Sequence, residues 1–187
     1  MFKFKCRQYP IIHIIGLPGA GKTTLARRLS RILKIPILSI GYYRAQFPKT
    51  PFGEADAWIA LFRALSRRRW KNCILETTGL NSREGFLMAA FPFGRVFTIK
   101  LEASQKALFR RIGKKKSKDR GGQWLYSTEY RDKYEFVRKL FKRFSKIPAD
   151  YCIDTNRLNK TAVRQRAYKE ISKVGTLYNI ADDSNIE

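Results

Sequence analysis

Cysteine and histidine are scarce in this chain of 187 residues, which holds three cysteines and a single histidine. No two cysteines form a CxxC pair or another metal-ligand spacing, so the sequence predicts neither a disulfide framework nor a zinc site. Cys73 and Cys152 lie in apolar runs, where we expect buried free thiols in a reducing cytosol. His13 lies inside the first apolar run, where we expect a core residue and assign no catalytic role.

Long apolar runs and acidic side chains are also scarce. No run is long enough for a transmembrane helix or the core of a signal peptide, so we expect a cytoplasmic protein. The 15 acidic residues face 39 lysines and arginines, which gives a formal charge of +24. Such an imbalance opposes compaction unless a polyanion is near. It favours a nucleic acid, a nucleotide or an anionic membrane surface as partner.

Five short apolar runs alternate with segments of helical period, which is typical of a doubly wound parallel sheet. The chain is too short for two ordinary domains, so we predict one α/β domain over residues 1–187. The runs are IIHII, IPILSI, NCILE, RVFTIKL and DYCID, and helices are predicted near 22–34, 54–69, 82–89, 104–112, 127–146 and 160–174.

Two segments lack this periodicity. Residues 112–124 are polar, basic and rich in glycine, and they predict a mobile lid. The acidic residues at the end, about 180–187, are predicted to fray. In the helix predicted over 127–146, an apolar stripe indicates core, and the opposite basic face is either solvated or functional.

The segment GLPGAGKT, residues 16–23, matches the phosphate-loop pattern GxxxxGK[ST] in full. Its glycines let backbone N–H groups turn inward around a β-phosphate, and the next helix adds its positive amino end. Lys22 supplies charge to the β and γ oxygens, and the Thr23 hydroxyl reaches Mg²⁺. The sequence therefore predicts ATP and Mg²⁺ in a three-layer P-loop NTPase fold, with a five-stranded parallel sheet and helices on both faces. The predicted nucleotide-binding residues here are Gly16, Pro18, Gly19, Ala20, Gly21, Lys22, Thr23 and Thr24.

Three kinds of P-loop protein compete: a GTPase switch, a motor-type ATPase and a kinase. ETTG, residues 76–79, is superficially like the DxxG of GTPases, but the chain has no NKxD for guanine. Motor ATPases generally need more chain than this. A kinase also accounts for the basic segment 112–124, because a lid of arginines over the transferring phosphoryl group neutralises charge and excludes water.

The chain resembles the P-loop kinases of the nucleotide and polynucleotide kinase group from residue 10 to about 175. GLPGAGKTT, ILSIGYYRAQF, CILETTGLNSRE, LFRRIGKKKSKDRGG and DYCIDTNRLNK carry this resemblance in order. It implies that Arg44 orients the acceptor and that Glu76 is the carboxylate at the end of the third strand, catalytic and on the metal side. It further implies that Arg111 and Arg120 are catalytic lid arginines and that Thr155 and Asn156 lie near the adenine.

The chain departs from that group after the second strand. In that group, an aspartate after the second strand accepts the proton of the attacking hydroxyl. This chain instead has GYY at residues 41–43. Three explanations are open. Glu76 serves as base as well as metal-side carboxylate, Glu54 or Asp56 swings in, or the acceptor is a phosphate that is already ionised. We favour Glu76, because a carboxylate at the carboxyl edge of a strand faces the phosphates of the loop.

The charge distribution favours a polymeric acceptor. Residues 106–120 carry eight lysines or arginines against one acid, with Trp124, Tyr126 and Tyr130 beside them as candidates for stacking on bases. We therefore predict a kinase for a hydroxyl on a nucleic acid, with DNA favoured over RNA and no membrane partner. The hydroxyl is a 5′ end or the hydroxymethyl group of 5-hydroxymethyluracil in DNA.

Both acceptors follow from a resemblance to polynucleotide 5′-hydroxyl kinases and to viral hydroxymethyluracil DNA kinases. For a viral source, the location would be the host cytoplasm. The main alternative is a nucleoside or deoxynucleoside monophosphate kinase. A second alternative, of a different class, is a nucleic-acid-binding P-loop ATPase without an acceptor.

Overall fold

A computed structural model describes residues 9–80, 96–114 and 130–183, with side chains up to residue 174. Within these ranges the strands form one parallel sheet of five in the order β2-β3-β1-β4-β5. The elements are β1 Ile11–Gly16, α1 Lys22–Leu33, β2 Ile37–Ser39, α2 Ile40–Arg44, α3 Pro51–Arg67, β3 Cys73–Glu76, β4 Val96–Glu102, α4 Gln105–Gly113, α5 Lys133–Ser145, β5 Tyr151–Asp154 and α6 Lys160–Asp183.

The five predicted strands and the three-layer α/β fold are confirmed. Side chains alternate along β1, and the sheet therefore has a core on each face. Ile12 and Ile14 pack with the cluster that includes Leu29 of α1 and Ala167 of α6. Ile11 packs with Trp58 of α3 on the other face. This sandwich fixes the carboxyl edge of the sheet, where the phosphate loop leaves β1.

Capping residues move two helix starts from their predicted positions. α3 begins at Pro51 instead of 54, because the Thr50 hydroxyl accepts a hydrogen bond from the Gly53 N–H at 3.1 Å. α5 begins at Lys133 instead of 127, because the Asp132 carboxylate accepts two backbone N–H groups at 2.9 Å. The short helix α2 was not predicted.

The other predicted segments also need adjustment. α6 continues past 174 to Asp183, so the stretch predicted to fray from about 180 is helical over its first residues. The predicted helix 82–89 lies outside the described residues. Among the residues that are described, no helix has the length and apolar character needed to cross a membrane.

The two described cysteines differ in exposure. Cys73 is buried, as predicted, and burial raises the pKa of its thiol to about 12. The prediction for Cys152 is wrong, since this residue is exposed. β5 is an edge strand that pairs with β4, so the side chain of Cys152 is incompletely covered by neighbouring elements.

Lys100 of β4 is a buried cation that the apolar pattern did not predict. Its Nζ donates hydrogen bonds to the carbonyls of Ser145 at 2.8 Å and Ile147 at 3.0 Å. It also forms an ion pair with Glu102 at 2.9 Å. Lys100 thus satisfies the carbonyl of the last residue of α5, which has no partner inside that helix, and the carbonyl of Ile147 just after the helix.

His13 lies in the central strand β1 and is 3% exposed. Its Nε2 is hydrogen-bonded to the Thr77 hydroxyl at 2.7 Å, whereas Nδ1 has no hydrogen-bond partner. Burial lowers the pKa of this histidine from 6.5 to about 4. The predicted core role is confirmed, and protonation of the ring is unfavourable in the folded state.

We expect the free energy of unfolding to fall as pH drops from 6.5 towards 4. The unfolded chain binds a proton at His13 near pH 6.5, and the folded chain does so only near pH 4. The contribution of the neutral His13 ring to the free energy of unfolding is fully present above pH 6.5. It is lost progressively as pH falls from 6.5 through about 4, and the total loss is about 3 kcal/mol. Urea unfolding of the parent and His13→Gln at several pH values measures it. Identical pH dependence in both proteins would contradict the assignment.

Candidate active site

The phosphate loop joins the buried strand β1 to α1, whose first residue is Lys22. Gly19 and Gly21 have φ values of 85° and 102°, in the left-handed region that favours glycine. A Cβ at Gly19 would lie 2.8 Å from the carbonyl oxygen of Leu108 in α4. Close packing on α4 therefore fixes both the path of the loop and the need for glycine.

Thr23 and Glu76, both predicted on the metal side, come together in the structure. Thr23 lies in the first turn of α1, and Glu76 ends β3 as the register partner of Ile14. The Thr23 hydroxyl donates a hydrogen bond to Glu76 Oε1 at 2.5 Å, and Glu76 is 7% exposed. Two hard oxygen donors beside a phosphate loop fit Mg²⁺, which takes few protein ligands and keeps phosphate and water oxygens.

Lys22 also stays at the loop. Its Nζ donates to the carbonyl oxygen of Leu17 at 3.4 Å, so the side chain lies along the turn that precedes α1. The Leu17 carbonyl also accepts the Ala20 N–H at 3.0 Å. The ammonium group is therefore held at the amino end of α1, where phosphate oxygens are favoured by the helix dipole and exposed N–H groups.

The residues that follow Glu76 in the tetrapeptide ETTG, residues 77–79, position its carboxylate. The Thr77 hydroxyl is bonded to His13 and accepts the Gly79 N–H at 3.2 Å. Gly79 has φ 81°, and a Cβ there would lie 3.0 Å from the side chain of Ile15. These contacts fix the chain just after Glu76 against β1, and the glycine of ETTG is the sequence signal for them.

Arg111, predicted as a lid arginine, braces the site from α4. Its Nη1 donates to the Thr155 hydroxyl at 2.9 Å and to the Gly19 carbonyl at 3.4 Å, and its Nη2 donates to the Thr155 carbonyl at 2.5 Å. Thr155 is 4% exposed. Burial and the neighbouring Arg110 lower the pKa of the Arg111 guanidinium. The side chain thus ties α4 to the phosphate loop and to the segment after β5.

We expect Arg111→Lys to raise the KM for ATP about tenfold and to change kcat less. Lysine keeps the positive charge but cannot donate the paired hydrogen bonds that the guanidinium makes to Thr155. Steady-state kinetics and a thermal melt of both proteins test this. A kcat loss above about 100-fold with unchanged KM would instead indicate that Arg111 acts on the transferring phosphoryl group.

Asn156, predicted on the adenine side, lines a cavity of about 280 Å³ beside the phosphate loop. Its Oδ1 accepts the Ser104 N–H at 2.8 Å, and its Nδ2 donates to Asp154 at 2.7 Å. Thr155, the other predicted adenine-side residue, is buried against Glu102 and Arg111. The cavity walls include Leu17, Leu101, Leu108, Phe141 and Phe144.

Arg44, predicted to orient the acceptor, is held by Glu54. Its Nε and Nη2 donate to the two carboxylate oxygens of Glu54 at 2.7 and 2.5 Å. The Trp58 Nε1 donates to the same carboxylate at 2.8 Å. Glu54 therefore accepts three hydrogen bonds, and Asp56 is exposed on α3. The Glu54 carboxylate is thus engaged by Arg44 and Trp58.

The predicted lid and its aromatic neighbours lie largely outside the described residues. α4 continues to Gly113, so the first residues of the predicted lid 112–124 are helical. Arg120, Trp124 and Tyr126 lie outside the described residues. Tyr130 is described, and its ring packs edge-on against Phe136 with centroids 5.0 Å apart.

Comparison with known proteins identifies one family that the chain matches, and two relatives that match it over a short segment. The family described as AAA domain matches residues 12–135. The cytidylate kinases of Pyrobaculum arsenaticum and Pyrobaculum neutrophilum are each 48% identical to the chain over 31 residues. This match covers 17% of the chain and only 17% of each kinase.

Solved structures share the fold at low sequence identity. Shikimate kinase from Bacteroides thetaiotaomicron has a TM-score of 0.59 and 16% identity over 88% of this chain and 99% of its own. The gluconokinase from Sinorhizobium meliloti has a TM-score of 0.59 and 12% identity over 90% and 95%. Shikimate kinase from Aquifex aeolicus has a TM-score of 0.58 and 21% identity over 86% and 95%. The fold is that of small P-loop kinases.

Proposed function

We propose that this chain, which belongs to the AAA-domain family, is an ATP-dependent kinase for a small-molecule acceptor, a nucleoside or deoxynucleoside monophosphate. The observation that carries this proposal is the hydrogen bond from the Thr23 hydroxyl to the Glu76 carboxylate, which lies beside a complete phosphate loop. The local identity to cytidylate kinases and the fold shared with shikimate kinase and gluconokinase support a small acceptor over a polymer.

The acceptor side of the site favours a phosphate as nucleophile. Residues 41–43 place no carboxylate after β2, and Glu54 is occupied by Arg44 and Trp58. A hydroxyl acceptor needs a group to take its proton, whereas the phosphate of a mononucleotide is already ionised. A monophosphate acceptor therefore explains why the carboxylate expected after the second strand is missing.

The residues of the chain then divide the work of phosphoryl transfer. The backbone N–H groups of the phosphate loop orient the β-phosphate, and Lys22 places its charge against the β and γ oxygens. Thr23 and Glu76 are the residues that would hold Mg²⁺. When bound, Mg²⁺ neutralises charge on the phosphate oxygens. Arg111 links α4 to the loop through its hydrogen bond to the Gly19 carbonyl.

A hydroxyl on a nucleic acid is the second candidate acceptor. The charge of +24 and the eight cations in residues 106–120 favour a polyanion, either a 5′-hydroxyl end or 5-hydroxymethyluracil in DNA. In that case Glu76 would have to act as the base as well. A nucleic-acid-binding ATPase is the third possibility, and it predicts no phosphorylated acceptor.

The test is transfer of label from γ-labelled ATP to a panel of acceptors, with Lys22→Ala as the inactive control. The panel holds cytidine, uridine and adenosine monophosphates with their deoxy forms, shikimate, gluconate, 5′-hydroxyl DNA and RNA, and DNA with 5-hydroxymethyluracil. We expect label in a mononucleotide. Label in a polynucleotide alone would overturn the first proposal in favour of the second.

A further inference from the structure

We propose that the carboxyl end of α3 and the turn after it form a docking surface for a nucleic acid strand, away from the phosphate loop. We call this surface the arginine turn, and define it as residues 67–71, Arg-Arg-Arg-Trp-Lys. It lies immediately before β3, at the amino edge of the sheet. The phosphate loop leaves the carboxyl end of β1, which is parallel to β3. The two sites therefore lie at opposite edges.

The charge around the arginine turn is of one sign. Residues 57–75 contain no aspartate or glutamate and include five cations, Arg63 and four in the arginine turn. Arg67, Arg68 and Arg69 are exposed, and no carboxylate in the described part of the chain forms an ion pair with them. The helix dipole favours a cation in the last turn of α3, but it does not account for three adjacent arginines that repel one another.

Hydrogen bonds define the backbone path of the turn. Arg69, Trp70 and Asn72 have φ values of 51°, 56° and 52°, a left-handed conformation that is unfavourable for residues other than glycine. Backbone bonds hold it: the Trp70 N–H donates to Leu65 at 3.1 Å, and the Asn72 N–H donates to Tyr9 at 2.9 Å. The Tyr9 N–H donates back to the Asn72 side chain at 2.7 Å. The arginines are thus presented on a fixed backbone, which reduces the entropy lost on binding.

The chemistry of the turn fits phosphodiesters. A guanidinium group binds phosphate through two parallel hydrogen bonds, and three of them in sequence match a chain of phosphates better than a single anion. Membrane-surface binding uses large exposed apolar side chains beside the cations. Within the arginine turn the one large apolar side chain, Trp70, is instead partly buried and packs on the core cluster with Leu65. A nucleic acid strand is therefore the partner that the surface fits.

The experiment measures binding of a labelled single-stranded DNA across a range of salt concentrations to four purified full-length proteins. These are the parent, the triple variant Arg67→Gln, Arg68→Gln, Arg69→Gln, a matched triple Arg138→Gln, Lys142→Gln, Arg143→Gln on the exposed face of α5, and Lys22→Ala. Thermal melts confirm that each is folded. We expect the first triple to bind more than about tenfold more weakly and to reduce the salt slope by about two, since each lost phosphate contact removes about 0.7.

The other proteins decide whether the site is the arginine turn. We expect the α5 triple and Lys22→Ala to bind DNA within about threefold of the parent. Equal loss in both triples would indicate general electrostatic attraction, and loss in Lys22→Ala would place DNA at the phosphate loop. Either result overturns the proposal. The same proteins are also tested with phosphatidylserine vesicles, and vesicle binding that depends on the arginine turn, without DNA binding, would overturn it too. Failure of the kinase proposal would leave these affinities unchanged, so the two proposals are tested separately.

Discussion

Glu76→Gln should lower the rate of phosphoryl transfer by more than about 100-fold while ATP still binds. Glu76 ends β3 with its Oε1 2.5 Å from the Thr23 hydroxyl, and it is nearly buried. Glutamine has the same shape but no negative charge to orient the metal side or to accept a proton. Single-turnover transfer of labelled phosphate, with ATP binding measured in parallel, gives both quantities.

Glu102→Gln is the matched control, because Glu102 ends the strand β4 as Glu76 ends β3. Its side chain is 41% exposed and pairs with Lys100 at the edge of the cavity beside the phosphate loop, whereas Glu76 is hydrogen-bonded to Thr23. We expect turnover within about threefold of the parent for this variant. Near-normal turnover in Glu76→Gln itself would remove Glu76 from the mechanism.

Lys22→Ala should lower transfer by at least about 1000-fold, which is the largest effect expected in the chain. The Lys22 ammonium is held over the turn of the loop, 3.4 Å from the Leu17 carbonyl, where the β and γ oxygens are expected. No other described lysine lies within the residues 16–23 of the loop. The measurement is label transfer from γ-labelled ATP under saturating ATP.

Arg31→Ala removes a cation from the exposed face of the same helix α1 and serves as the control for Lys22→Ala. We expect it to retain most of the parent's activity, since surface charges away from a site contribute little. If Lys22→Ala transferred label as fast as the parent, the assignment of the phosphate loop would be wrong.

Much of the fold follows from the sequence because β1, β3 and most of β4 are buried on both faces, and β2 and β5 are short apolar runs beside them. Such strands are short, nearly continuous apolar runs, so all five were predicted from composition and order. The phosphate loop is equally local, since eight consecutive residues specify it. The juxtaposition of Thr23 and Glu76 follows from two further facts: parallel strands end at one edge, and Glu76 ends the strand next to β1.

The remaining features depend on contacts between segments that are distant in sequence. The pattern of β4 does not reveal that Lys100 meets the last carbonyls of α5. Nor does any local signal show that Arg111 bonds to Gly19 and Thr155, or that Glu54 captures Arg44. The exposure of Cys152 depends on the strand order, which places β5 at the edge.

The most direct test of the kinase assignment is the ratio of labelled acceptor to ADP formed when the parent protein is given γ-labelled ATP and the mononucleotide panel. A kinase that excludes water gives a ratio near one for its true acceptor, and the ratio requires Lys22 and Glu76. If ADP accumulates while all of the label appears as inorganic phosphate with every acceptor tested, the protein is an ATPase and the account is contradicted.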